Sequence, residues 1–272
     1  MLERFSHTNS KGETLDFVAM GVYINYNQLR DYEWEVTTEN DRITGFKRGV
    51  KKKNIPFVFA VDEARANEIK DKFYEHFDVD VLTKRAGYFL INGYKYYCYV
   101  TKSVKSDYLI AERHLKINVE TTSDKPYWYR EKLTTIDFNS ATENADTLKY
   151  PFTYPFTYGR ANSSNIINDD FIESDAIVRM YGEVINPLIK IGDNVYQVNT
   201  TIASGEYAEI NTIDKTIFKY SNYGESTNIF ETRNKDYNIF KPIPSGANTV
   251  SANEKFKVDI VLIEKRSEPK WS

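Results

Sequence analysis

The stretch IPFVFAVDEARANEIKDKFYEHF, Ile55 to Phe77, changes its hydrophobic period halfway along, and that change decides the fold. Ile55 to Asp62 alternates with apolar residues on both faces, the pattern of a strand buried on both sides. Asp62 can then accept from the free amides of a first helical turn, with Glu63 beside it, and Ala66, Ile69, Phe73 and Phe77 follow at spacings of three and four. The spacing predicts one amphipathic helix over about 63–77. It is the only strongly helical segment in the chain.

Outward from that helix the text is β. GYFLINGYKYYCYVTKSV places two alternating runs around Asn92-Gly93, the pair favoured in a two-residue hairpin turn. Leu115, Ile117 and Val119 recur at period two, as in a half-buried strand. In DKPYWYREKL, Pro126 excludes the centre of a sheet, and Tyr127, Trp128 and Tyr129 should pack a corner. Residues 17–36 read as short strands and loops, while the first fifteen residues are polar and read as an arm. Thr134 to Thr147 is polar and reads as a loop or exposed edge.

YPFTYPFTYG, Tyr150 to Gly159, repeats Tyr-Pro-Phe-Thr in tandem. Each Pro holds its own φ and pushes the preceding Tyr into an extended conformation, so the segment reads as a stiff connector carrying Tyr150, Pro151, Phe152, Tyr154, Pro155, Phe156 and Tyr158. RANSSNIINDD behind it has the composition of a domain seam. The last hundred residues are short β runs punctuated by turns such as Gly192-Asp193-Asn194 and Asn222-Tyr223-Gly224, and Phe256, Val258, Ile260 and Leu262 line one face of the final run. Many short strands without a helical period predict a β-sandwich.

Composition agrees. With 272 residues, 41% hydrophobic and 28% charged, the chain is long enough for two domains and rich enough to bury their cores. Its 21 Tyr and 16 Phe favour pleated surfaces. A net charge of -3 lacks the basic excess that binding a phosphate backbone requires, so no specific nucleic-acid binding is expected. Arg48 with Lys51, Lys52 and Lys53 reads as a solvated loop, with a local anion site as the lesser reading. The start has no signal-peptide core and no stretch approaches a membrane span, so the chain is expected to fold in a cytoplasm without membrane insertion.

Catalytic chemistry finds no footing. His7, His76 and His114 show no zinc spacing, the single Cys98 lies in an apolar strand, and there is no nucleophile elbow, P-loop or dinucleotide fingerprint. The acids Asp169, Asp170, Glu173 and Asp175 could be built into a glycosidase but read more simply as surface charge. Neither cofactor nor metal is expected, and the chain is read as a binding or structural module. Tyr127, Trp128, Tyr154, Phe156 and Tyr158 are the aromatics that would suit a saccharide or subunit surface, although core packing is the commoner fate of such residues.

Taken in order, the segment around Phe5 to Gly12 with His7-Thr8-Asn9-Ser10, the helix after IPFVF, GYFLINGYKYYCYV, DKPYWYRE, YPFTYPFTYG, ESDAIVRMYG, NPLIKIGDNVYQVN, GEYAEIN and the terminal RSEPKW resemble the distal tail protein of long-tailed bacteriophages of Gram-positive hosts. The resemblance covers nearly the whole chain. It implies a mainly β fold in which an N-terminal β domain with one helix, residues 1–160, forms a hexameric ring and a galectin-like β-sandwich, residues 161–272, projects outward. It also implies a homohexamer in the virion, at the tail tip, joining the tail tube protein to the tail-associated tip protein, supporting receptor-binding proteins, and letting DNA pass. Phe5, Arg48, Lys51, Lys52, Lys53, Trp128 and Trp271 are the expected ring or partner contacts. A lectin-like adhesion module that recognises host cell wall is the competing reading.

Overall fold

A computed structural model describes residues 5–24, 28–106, 113–139 and 163–271. The chain divides into two compact units, Met1–Arg130 with Lys265–Ser272, and Glu131–Glu264. The division therefore falls at 130/131 rather than at the expected 160/161. Ile136 and Phe138 explain the difference, because both are buried in the core of the second unit, and their polar neighbours disguise them as part of a loop. Tyr150 to Gly159 lies outside the described residues, and the connector reading lies there with it.

The first unit comprises β1 (Phe5–Thr8), β2 (Thr14–Asp16), β3 (Val22–Ile24), β4 (Glu35–Glu39), β5 (Arg42–Lys47), β6 (Lys51–Phe59), α1 (Glu63–Thr83), β7 (Gly87–Ile91), β8 (Tyr94–Lys105), β9 (Leu115–Ser123) and the start of β10 (Trp128–Asp137). Asp62 caps α1 as its position predicts, accepting from the Arg65 amide at 2.8 Å. The helix runs six residues past Phe77 and stops where Lys84 turns left-handed (φ 54). Two polar residues near the join with that extension, His76 just before Phe77 and Asp80 inside it, are buried and escape a search for apolar spacing. β7 and β8 form the expected hairpin, with Asn92 and Gly93 both at positive φ (49 and 81). β8 is long enough to pair β7 with its first half and β9 with its second, through a register shift between Val100 and Lys102. β6 lies between β3 and β9. Phe57 and Phe59 of β6 meet Phe73 of α1 edge to face at 5.6 and 5.3 Å.

The expected polar arm is instead a buried strand. β1 pairs with β2 and β7, and Phe5 stacks on Phe17 and Phe89. Its polar side chains reach α1: His7 Nδ1 lies 2.9 Å from His76 Nε2, and the Ser10 amide donates to Asp80 Oδ1 at 2.6 Å. Asn9 Oδ1 accepts the amides of Lys11 and Glu13, closing the turn into β2. Gly87 sits over this cluster with no room for a side chain, because a Cβ there would come within 2.3 Å of Asp80 Oδ2 and 2.7 Å of the Thr8 carbonyl.

The second unit comprises the rest of β10 with β11 (Ser163–Asn168), β12 (Asp175–Tyr181), β13 (Val184–Ile185), β14 (Leu188–Ile191), β15 (Asn194–Gln197), β16 (Thr201–Ile202), β17 (Tyr207–Asn211), β18 (Thr216–Tyr220), β19 (Ser226–Asn228), β20 (Gly246–Ala252) and most of β21 (Lys257–Arg266). One antiparallel sheet runs β19-β18-β17-β12-β21 and another β11-β20-β14-β15, and alternate residues of both fill one core around Val178, Met180, Ile189, Ile210, Val250 and Ile260. This is the β-sandwich that the short runs imply. Gly192-Asp193 and the Asn222 to Gly224 turn both join paired strands, whereas YNIFKPI, Tyr237 to Ile243, forms no strand and contributes only the Ser174–Ile243 bridge.

The buried His pair makes the first unit sensitive to acid. Burial, together with the neighbouring His76, holds His7 well below its ordinary value of 6.5. Burial holds His76 down at about 4, although Glu13 and the backbone of His7 pull the other way. Burial of Asp80 raises its carboxyl, opposed by the amides of Ser10 and Gly87. Since the unfolded chain binds protons at these imidazoles below about pH 6.5 and the fold refuses them, their stability contribution is full above that pH and is lost toward about pH 4. Between pH 7.5 and pH 5 His76 alone should remove about 2 kcal/mol from the unfolding free energy. Urea unfolding at both pH values checks this, and His76→Gln should flatten the slope; a variant as acid-sensitive as the parent would assign the effect elsewhere.

Candidate assembly surface

The segment from Gln28 to Lys53 is held to the first unit by interior polar groups. Lys53, only 4% exposed, sends its ammonium to the carbonyls of Leu29 and Asp31, each at 2.7 Å, and lies 4.9 Å from the Tyr96 ring. Burial, reinforced by the nearby Arg48 charge, lowers it to about 8. The indole of Trp128, fully buried, donates to the same Leu29 carbonyl at 3.3 Å. The basic run is thus the start of β6, not a solvated loop: period two turns Lys53 inward, while Lys51 pairs with Glu35 and Glu33 and Lys52 with Glu120.

β4 and β5 stand out from this base as a hairpin paired only to each other, with a register shift between Thr37 and Thr38 and a turn at Asn40 and Asp41, both at positive φ. Nearly every residue of it is exposed, including Val36, Ile43 and Phe46, and Val50 just beyond is exposed as well. A lone two-stranded ribbon is marginal in water, and its exposed apolar side chains make it a candidate contact surface. At its foot, Trp34 meets Phe46 and Tyr127 edge to face, and Arg48 lies over the Tyr127 ring at 4.7 Å, with Lys265 at 4.1 Å from the same ring. Near the C-terminus, Arg30 donates to the Pro269 carbonyl at 2.8 Å and stacks on Trp271 at 3.8 Å, and Asn92 donates to the Lys270 carbonyl. Trp271 still exposes 71% of its surface.

The seven expected contact residues separate accordingly. Phe5, Lys53 and Trp128 belong to the interior of the first unit, because the first and last complete aromatic packing and Lys53 satisfies buried carbonyls. Arg48 is nearly buried, Lys51 is engaged by acids, and Lys52 and Trp271 present surface. Val36, Ile43, Phe46 and Val50 escape the sequence reading; EVTTENDRITGFK carries a turn signal at Asn40-Asp41, but nothing in it says that the strands stay unpaired on their outer edges.

Groups with catalytic or sugar-binding potential are engaged structurally. Cys98 is buried and its thiol is pushed up by that burial. Asp169 pairs with Lys132, Asp170 accepts the Phe171 amide, and Asp175 accepts from Thr212. Among the described residues, no group of three or more His, Cys, Asp or Glu could hold a metal ion, and no helix is long and apolar enough to cross a membrane. Trp128 is inside and Tyr127 lies against two cations, while Tyr154, Phe156 and Tyr158 fall outside the described residues, so the saccharide platform expected from these aromatics has no exposed member in view.

A β domain with one helix together with a β-sandwich is a fold found in structural proteins of phage adsorption machinery. The chain is similar to the Dit (gp 19.1) protein of phage SPP1, described as a paradigm of the hub adsorption apparatus in Gram-positive infecting phages, with a TM-score of 0.62, 11% identity, and 97% of this chain and 99% of that one covered. It is also similar to a chain of the phage P2 baseplate in its activated conformation, with Ca (TM-score 0.59) and with Sr (0.60), each at 12% identity and covering 99% of this chain and 100% of that one. At such identities the likeness is one of fold. No family model matches the chain, and no curated protein matches it.

If the hairpin is a contact surface and Trp128 a core residue, single substitutions should separate them. Phe46→Ser should leave the unfolding free energy within about 0.5 kcal/mol, whereas Trp128→Ala should cost about 3–5 kcal/mol. Denaturant unfolding of the two variants provides the comparison, and a large loss from Phe46→Ser would place that ring in the fold rather than on a contact surface.

Proposed function

We propose that the protein is a structural hub at the tip of a phage tail, built as a homohexameric ring that joins the tail tube protein to the tip proteins and carries receptor-binding proteins. The observation that carries this reading is the likeness of fold over the full length of both chains, 97–99% of this one and 99–100% of the others, so that both units are matched rather than one widespread β module. Closed rings use a heterologous interface in which one patch of each subunit meets a different patch of the next. The β4–β5 hairpin with Val36, Ile43 and Phe46 suits one side of such an interface, and Lys52 and Trp271 are further surface candidates. The sandwich of the second unit serves as the outer, galectin-like platform. A net charge of -3 suits a ring whose lumen must pass DNA without holding it.

Light scattering across concentration, with negative-stain images of the largest species, tests the proposal. The expected result is an open ring with about six times the 31.7 kDa chain mass, formed alone or on adding a tail tube protein. A strict monomer under both conditions overturns it. In a protein that does form rings, Phe46→Asp should weaken assembly at least tenfold while leaving the monomer folded, through a charge placed in an apolar contact.

A further inference from the structure

The loop between β11 and β12 is braced beyond what a connection requires. Asn168, only 3% exposed, donates from Nδ2 to the Ile172 and Ile243 carbonyls at 3.3 and 3.0 Å. Its Oδ1 accepts from the Asp170 amide at 3.1 Å and the Ser174 hydroxyl at 3.0 Å. The Asp170 side chain accepts the Phe171 amide at 2.9 Å, and the Asp170 carbonyl accepts the Ser245 hydroxyl. This interior network holds out Phe171 and Ile172, which expose 73% and 48% of their surface. Glu173 follows them, exposed and paired with no cation among the described residues. Phe171 is therefore an aromatic anchor fixed in place before any contact is made, which reduces the ordering cost of binding.

The first unit contains a socket of matching character. A cavity of about 230 Å³ beside α1 and the second half of β8 is lined by the buried apolar residues Phe73, Phe77 and Val100. Pockets for drug-sized ligands hold about 300–1,000 Å³, so this one suits a single side chain. Of the charged residues that line it, Lys102 and Lys105 outnumber Asp78, and neither lysine forms an ion pair among the described residues. Burial and the nearby Lys70 lower the affinity of Lys105 for its proton, against a pull from Asp71. A carboxylate beside Lys105 would relieve that local excess of positive charge. We propose that Phe171 of one copy of the chain enters the Phe73–Phe77–Val100 cavity of a second copy, with Glu173 of the first beside Lys105 of the second. Such a contact joins a protruding apolar group to a pocket elsewhere on the same molecule, so it is heterologous and repeats from copy to copy. It rests on the ring reading above for its setting and gives that reading a specific pair of patches.

Sedimentation velocity of the full chain over a range of concentrations tests the contact. The chain should associate as concentration rises. Phe171→Asp, and separately the double variant Lys102→Glu with Lys105→Glu, should each reduce the association constant at least tenfold. Both should keep the melting point of the parent, because the altered side chains lie outside the cores. The Phe171→Asp chain keeps an intact socket and the double variant keeps an intact Phe171, so an equimolar mixture should recover association that each variant lacks alone. If Phe171→Asp does not fold, Phe171→Ser reads the same loss. A parent that stays monomeric at every concentration, folded variants that associate like the parent, or a mixture that associates no better than its components overturns the proposal. The hub reading fails separately, since it is overturned only when rings are absent with a tail tube protein present as well.

Discussion

The first unit depends on the packing of one helix against one strand through aromatic rings. Phe57 and Phe59 leave β6 on one face, Phe73 of α1 meets both edge to face, and Phe77, Phe17, Phe5 and Phe89 continue the contact as far as β1 and β7. Each ring buries a large apolar area and each edge-to-face pair adds about 0.5–1.5 kcal/mol beyond that burial. Removing the helix would strip one side of β6, and with it the reason for β6 to be apolar on that face. The position of α1 in turn determines where β1 can lie, because His7 has a hydrogen-bond partner only when the fourth turn of the helix presents His76.

Polar groups are used in this unit as fasteners of specific geometry. Lys53 joins the 28–31 turn to β6, Asp80 receives the Ser10 amide, and the His pair ties the first strand to the helix. A buried amine or carboxylate is tolerated only when its hydrogen bonds are made in place, so each of these groups restricts the chain to one arrangement. The acid sensitivity of the His pair follows from burial, which disfavours the charged imidazolium at both rings.

Period and turn chemistry made much of this legible from residues alone. The Asp62 cap, the Ala66-Ile69-Phe73-Phe77 stripe, the Asn92-Gly93 hairpin and the strands of the sandwich all follow local rules, and local rules survive folding where apolar faces are buried. What stayed illegible is what depends on long-range polar pairing. His7, Asn9 and Ser10 look like an arm until a helix seventy residues away supplies their partners. Lys53 looks like the end of a basic surface run until strand period turns it inward, and Ile136 and Phe138 are too few to mark a strand by composition. The hairpin surface was hidden for the converse reason, because apolar residues in a β pattern are assigned to a core by default, and Val36, Ile43 and Phe46 have none to enter.

Function in such a protein resides in surfaces, and unused polar capacity distinguishes a surface from a scaffold. In the second unit, Asp170, Asp175, Thr212, Asn194 and Tyr196 all have partners within the unit. In the first, two features stand at neighbouring positions in the sequence: an apolar ribbon whose strands pair only with each other, and, directly after it, the buried Arg48 guanidinium, which no ion pair among the described residues reaches. A monomer gains nothing from either, since the ribbon exposes hydrocarbon to water and the guanidinium forgoes its hydration. Contact with another molecule would relieve both. An assembling protein is expected to concentrate such unrelieved costs where its partners bind, because a surface already satisfied in the monomer offers no gain on association.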